Sequence, residues 1–212
     1  MKIILTGATG FVGEGVLLEC LKDNRIEEVL SISRKTCGHQ HPKLKELIVA
    51  DLMDLQADDT RLHGYEAVFF CAGISSVGLS EAQFRPIAYD IPMHLAHVVQ
   101  PKEAMTYIFV SGAGTGSSRQ MWGRVKRQTE DELQQLGFRQ VFNFRPAIMK
   151  PADGQIHMKF TDKVFGQCFG LAKLLKAGNT MTQVCLSMIN ATLHGYETPT
   201  IGVRDISRLS KN

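Results

Sequence analysis

The sequence lacks any stretch approaching the roughly 18 apolar residues of a membrane span, so no membrane partner is expected. After the opening Met1-Lys2-Ile3-Ile4-Leu5 it turns at once into glycines. No long apolar run or small-residue cleavage site follows, and no secretory leader is expected. It has no CxxC pair. Its five cysteines, Cys20, Cys37, Cys71, Cys168 and Cys185, are scattered and odd in number, which reads as reduced thiols in a cytoplasmic protein. No basic run exceeds two residues and the net charge is only +3, too mild for a nucleic-acid binder. A GxSxG hydrolase elbow is missing, and no lysine follows the first glycines as a P-loop requires. Internal repeats and low-complexity linkers are absent as well.

What is present is an ordinary globular composition. The 212 residues are 44% apolar and 21% charged, which fits one domain with a sizeable core. Strands are expected at Lys2–Thr6, Val29–Ser33, Leu47–Ala50, Ala67–Cys71, Tyr107–Ser111 and Gln140–Arg145. Between them lie segments of helical period. Phe11–Leu21 places Val12, Val16, Leu17 and Leu21 on one face, Ile91–Val99 stops before Pro101, and Gln120–Leu136 stops at Gly137. After Pro151 the pattern changes to two helices, Phe160–Lys176 and Met181–His194. Phe160, Val164, Phe165, Cys168, Phe169, Ala172 and Leu175 repeat at helical spacing, a core face with a substrate lid or dimer face as the alternative.

The strongest motif is Thr6-Gly7-Ala8-Thr9-Gly10-Phe11-Val12-Gly13, which leaves the first strand and opens the first helix. That is the setting a dinucleotide fingerprint requires. Gly7 permits the tight turn, Gly10 lets the backbone approach a pyrophosphate, and Gly13 lets the helix pack closely. Thr9, Phe11 and Val12 complete the turn, where free N–H groups and the helix dipole favour phosphate. With buried strands alternating with helices, the expected fold is a Rossmann-type α/β domain, a doubly wound parallel sheet with a small C-terminal helical extension. Residues 1–150 are read as the nucleotide-binding core and 151–212 as a substrate-side extension of one domain.

The end of the second strand should choose the cofactor. An Asp or Glu there favours NAD by accepting from the ribose hydroxyls. This strand ends Ser33-Arg34-Lys35, and two cations favour the 2′-phosphate of NADP, with NAD as the alternative. After the third strand, Asp51 is placed to accept from the adenine amino group with Leu52 against the ring, or to cap a turn.

Taken with ADLMD, FFCAGISSVGLSE, VSGAGT, MWGRVKRQTE and FRPAIMKP, the TGATGFVG turn resembles the atypical short-chain dehydrogenase/reductases. The resemblance lies in the NAD(P)H-binding, epimerase-like branch near the Tat-interacting NADPH-binding family. It runs from Met1 to about Pro151 and weakens beyond. It implies that Cys71, Ala72 and Gly73 border the adenosine ribose and that Pro146 and Ala147 lie near the nicotinamide.

The resemblance also implies a Tyr-x-x-x-Lys pair one helical turn apart, in which lysine holds the nicotinamide ribose and tyrosine moves a proton. Here the segment is Trp122-Gly123-Arg124-Val125-Lys126. Lys126 is retained as a cofactor-binding residue. Trp122 stands where tyrosine is expected, and an indole N–H donates a hydrogen bond but is no acid at neutral pH. The assisting serine is displaced too, leaving Ser111 and Thr115 as the nearby hydroxyls.

Other chemistry is thin. His39 and His41 flank Gln40 but lack further metal ligands, and His94 and His97 share a face of a helix. Tyr89 and Asp90 precede that helix, Asp90 as a cap or a site residue. Two functional classes follow. One is an NADPH-dependent oxidoreductase of an unassigned small molecule, with a substituted proton donor. The other is a nucleotide-binding regulatory or scaffold protein. For the protein as a whole the expected partners are the dinucleotide and a small-molecule substrate, with a monomer or homodimer as the expected state.

Overall fold

The computed structural model describes residues 1–158 and 178–211. The expected helix Phe160–Lys176 and Cys168 lie outside them. The central sheet contains β1 (Lys2–Thr6), β2 (Glu28–Ser33), β3 (Leu44–Ile48), β4 (Ala67–Phe70), β5 (Thr106–Val110), β6 (Gln140–Arg145) and β9 (Thr200–Gly202). Its strand order is β3-β2-β1-β4-β5-β6-β9 and every pairing is parallel. This is the expected Rossmann-type architecture. The inner strands carry almost unbroken apolar runs because helices cover both faces.

One face is filled by Ile3, Leu5, Val16, Leu17, Phe69, Ile108 and Phe144. Two helices, α1 (Phe11–Lys22) and α5 (Met181–His194), pack there against each other. The other face buries Ile4, Ile32, Phe70, Leu95, Tyr107 and Leu133. Fully burying one such Leu or Ile contributes about 1.5–3 kcal/mol, so each face anchors its helices. On that side Glu81–Arg85 (α2) continues through a π turn, Pro86–Asp90, into α3 (Ile91–Val98). The pieces α4 (Met121–Leu133) and α6 (Val203–Leu209) complete the described helices. Beside the main sheet, β7 (Ile148–Lys150) and β8 (Gly178–Thr180) form a short parallel pair.

The pair β7–β8 and helix α6 were not expected from the sequence, and three further elements differ from the expectation. The third strand begins at Leu44, because β2 sets its register from Val29↔Leu44 to Ser33↔Ile48. It is an edge strand, so only Leu47 is buried and Lys45 and Glu46 face water. The helix expected to start at Ile91 is preceded by ten helical residues, Glu81–Asp90; Arg85 and Asp90 keep right-handed helical dihedrals, so the run continues through Pro86 and Pro92 by way of the π turn. The chain also returns after α5 to add β9 beside β6, a three-residue strand too short to leave a period.

The chain runs from β1 outward to β3 and then returns to β4 on the other side of β1. The crevice beyond the carboxyl ends of β1 and β4 is therefore the topological switch point, where open α/β sheets bind their ligands.

Candidate functional site

The turn after β1 fills that crevice. Gly7 has φ +81°, and a Cβ there would lie 2.7 Å from the Ala72 nitrogen at the end of β4. A Cβ on Gly13 would overlap the Gly7 carbonyl, so the first turn of α1 rests directly on the loop. Gly10 is different. Its N–H donates to Gly7 O at 2.9 Å, and a Cβ there would meet only that oxygen, at 3.5 Å. Among the described residues nothing else comes within 4 Å of that position, and Gly10 is the N-cap of α1 with no side-chain cap hydrogen bond. Thr9, Phe11 and Val12 flank this opening. Open room at an uncapped helix start fits a pyrophosphate, because the first N–H groups lack intrahelical partners.

Cys71, Ala72 and Gly73 continue from β4 beside the turn, Ala72 N donating to Thr6 Oγ1 at 3.3 Å. Burial pushes the Cys71 thiol upward, which makes it an inert wall. Arg34 and Lys35 are exposed at the end of β2 and have no ion-pair partner among the described residues. Asp51 is exposed and caps the turn Leu52–Asp54, its Oδ1 accepting from Met53 N at 3.0 Å. Leu52 does not match expectation. It is buried in the core with Leu47, Leu55 and Leu62, so its side chain is not available to lie on an adenine ring.

One group at this end was not legible in the sequence. Glu14, on the first turn of α1, is fully buried. It accepts from His39 Nε2 at 2.8 Å, Ile156 N at 2.7 Å and His157 N at 2.8 Å. Burial alone would raise its pKa, but these three donors outweigh it and hold the carboxyl below its usual range. His157 in turn bonds Cys37 O at 2.8 Å, and Gln155 donates to Phe11 O at 2.7 Å. This clasp ties the loop after β2 and the segment before residue 159 to α1. His39, weighed above as a metal ligand, is held here, while His41 Nδ1 accepts from Lys43 N at 3.2 Å. Among the described residues no group of three or more His, Cys, Asp or Glu is placed to hold a metal.

The far end of the crevice is built by β5, β6 and α4. Lys126 is half-buried and donates to Ser111 O at the end of β5. Burial lowers its pKa to about 8, against an opposing pull from Glu130. Glu130, one turn further along α4, is buried and gripped by Arg145 at the end of β6, with Nε at 3.0 Å from Oε1. Ser111 Oγ also donates to Glu130. Thr115 is buried, its hydroxyl donating to Gly112 O at 2.8 Å. Pro146 is buried, and its carbonyl accepts from Ala113 N at 2.8 Å, joining the loops after β5 and β6.

Trp122 packs beside Phe84, Ala88 and Val125 and lies against Gly114. Its indole Nε1 donates to Gln120 at 2.7 Å. Asp90 stands 3.7 Å from Arg85 Nε and makes no side-chain cap. His94 bonds Leu55 O, and burial lowers the pKa of His97.

Glu130 and Arg145 were not singled out in the sequence. The available signal was an acid four residues beyond Lys126 on the buried side of α4, and a cation ending a buried strand.

The model of the NAD-dependent epimerase/dehydratase family matches residues 3–139. Protein FMP52, mitochondrial, of Chaetomium globosum is 25% identical over 202 residues, 89% of this chain and 85% of that protein. Protein fmp52-2, mitochondrial, of Aspergillus terreus is 27% identical over 149 residues, 68% of this chain and 65% of its own length. Among solved structures, UDP-glucuronic acid 4-epimerase of Bacillus cereus in complex with NAD superposes with a TM-score of 0.68 at 13% identity, over 96% of this chain and 76% of that one. A short-chain dehydrogenase/reductase of Saccharomyces cerevisiae gives 0.69 at 13% identity, over 99% and 98%. These likenesses establish the fold. The relatives' names also overturn the expectation of a cytoplasmic protein. That expectation rested on scattered cysteines, and reduced thiols do not separate the cytoplasm from the inside of an organelle.

Proposed function

Because the chain belongs to the NAD-dependent epimerase/dehydratase family, we propose that it is a nicotinamide-dinucleotide-dependent oxidoreductase acting on a small carbonyl or quinone. The observation that carries this reading is the uncapped start of α1 at Gly10, where a Cβ among the described residues would meet only the Gly7 carbonyl, at 3.5 Å. In this reading Gly7, Thr9, Gly10, Phe11, Val12 and Gly13 hold the pyrophosphate. Cys71, Ala72 and Gly73 wall the adenosine ribose, Asp51 faces the adenine, and Lys126 and Pro146 border the nicotinamide. Residues 1–150 are the nucleotide-binding core and 151–212 the substrate-side portion. When bound, the dinucleotide supplies or accepts hydride.

NADP(H) is the proposed cofactor, since exposed and unpaired Arg34 and Lys35 suit a 2′-phosphate. The same two cations support the reading of a chain near the Tat-interacting NADPH-binding branch. Its relatives' names favour a mitochondrial location.

A second reading, a binding protein that senses NADP(H) without turnover, is favoured by Trp122 in place of a phenol. Calorimetry with NADPH and NADH, followed by NADPH oxidation with aldehydes, quinones and flavins, separates the two. The oxidoreductase reading expects tighter NADPH binding and measurable turnover. Tight binding with no turnover of any acceptor transfers the case to the second reading.

A further inference from the structure

Among the described residues, four side chains with an N–H or O–H near the proposed nicotinamide end, Trp122, Ser111, Thr115 and Tyr89, are committed elsewhere. The Trp122 indole N–H is bonded to Gln120 at 2.7 Å. The Ser111 hydroxyl is turned to Glu130 and is 3% exposed. The Thr115 hydroxyl is bonded to Gly112 O at 2.8 Å and is fully buried. The phenol on the neighbouring π turn, Tyr89, is bonded to Glu132, a residue further toward the end of α4. Lys126 differs from these four in retaining donor capacity among the described residues. An ammonium has three N–H donors, and only one is engaged, by Ser111 O. Its natural counter-ion, Glu130, is already held by Arg145 and by the Ser111 hydroxyl, so no salt bridge anchors the lysine proton.

Resting on the oxidoreductase reading, we infer that Lys126 is the proton donor of this site, in place of the missing phenol. The acceptor carbon takes hydride from the bound dihydronicotinamide, which is oxidised as the carbonyl is reduced. The carbonyl π pair moves to oxygen, an N–H bond of Lys126 breaks, and an O–H bond forms. The lysine is left as a neutral amine and regains its proton from solvent. Burial supports this role, because it brings the ammonium to about 8, near the working range of a general acid.

The test compares the wild type with Lys126→Arg and Lys126→Met. Arginine keeps a cation for the cofactor but does not release a proton in this pH range. The first readout is independent of turnover: competitive acetylation of Lys126 by acetic anhydride against pH, followed by peptide mass. Its midpoint is expected near 8, apart from the other lysines. The second is NADPH oxidation with 9,10-phenanthrenequinone and 4-nitrobenzaldehyde between pH 6 and pH 10. The wild-type rate should fall as pH passes about 8. General acid help is typically worth about 10²–10⁴ in rate. Lys126→Arg should therefore bind NADPH within about threefold yet turn over about 100-fold more slowly, without the alkaline fall. Lys126→Met should be as slow.

A Lys126→Arg variant that keeps its rate and its pH profile overturns the proposal and leaves the oxidoreductase reading standing. So does a Lys126 midpoint in the ordinary lysine range. A wild type that binds NADPH but reduces neither acceptor overturns the oxidoreductase reading and the proposal together.

Discussion

At the glycine turn the groups suited to a ligand belong to the backbone: the N–H groups at the start of α1, the open face of Gly10 and the peptide edge at Ala72. At the far end, between β5 and α4, they belong to side chains, and those side chains bond one another. Ser111, Glu130 and Arg145 form one network, Trp122 is tied to Gln120, and Thr115 to its own loop. The difference has a physical consequence. A site made of backbone is fixed once the strand, turn and helix form, and few substitutions can alter it. A site made of side chains changes its chemistry when one residue changes, which is the role proposed for Trp122, while the scaffold stays in place.

The largest effects should come from the backbone half. Gly10→Val places a branched side chain where only open space exists. We expect NADPH affinity to fall about 100-fold, roughly 2.7 kcal/mol, with an unchanged melting temperature. Gly13→Ala should do the reverse damage, because its Cβ overlaps the Gly7 carbonyl. A cost of about 3 kcal/mol is expected, lowering Tm by roughly 6–12 °C in a domain of this size. If thermal unfolding shows both variants equally unstable, the turn is structural throughout and the comparison breaks.

In the side-chain half, Trp122→Tyr restores a phenol one turn before Lys126, where a neighbouring ammonium lowers the phenol pKa. Because Lys126 already donates the proton, the added phenol is a second donor. Carbonyl reduction with NADPH should rise by only about threefold, while in a Lys126→Arg background the same phenol should recover about tenfold or more. A stopped-flow comparison showing no gain while NADPH binding holds would mean that proton supply does not limit this site.

The fold was legible because its signals are local and repeated. Apolar runs marked β1, β2, β4, β5 and β6 closely, and the glycine spacing located the turn. What stayed hidden depends on contacts between distant residues. The Glu14 clasp joins positions 14, 39 and 156–157, and the Glu130–Arg145 pair joins α4 to the end of β6. Neither has a period or a spacing. Asp51 and Leu52 show the same limit, since sequence placed them at the third strand's end but not which of the two faces the core.

Two smaller effects sharpen the boundary between the halves. Arg34→Ala should weaken NADPH binding about tenfold and leave NADH within twofold, since one charge-assisted contact is worth about 1.5–3 kcal/mol and this one is exposed. Equal loss for both cofactors, by calorimetry, would remove Arg34 from 2′-phosphate recognition. Glu14→Gln addresses the clasp. Its folded-state pKa is depressed, so its stabilisation is present above the ordinary glutamate range and is lost as pH falls through the folded value. The wild type should therefore be more stable than Glu14→Gln at pH 6, by about 1 kcal/mol, and the gap should close toward pH 3. A gap that persists or widens in acid, followed by urea unfolding, would show that the carboxylate charge is not what holds the clasp.

The most direct measurement is a crystal structure of the protein grown with NADP⁺. The pyrophosphate is expected on the N–H groups at Gly10, the 2′-phosphate beside Arg34 and Lys35, and the nicotinamide C4 within about 4 Å of a space bordered by Lys126 and Trp122, in the contact range of packed atoms. A dinucleotide bound away from the glycine turn, or a nicotinamide ring directed away from Lys126, would contradict this placement.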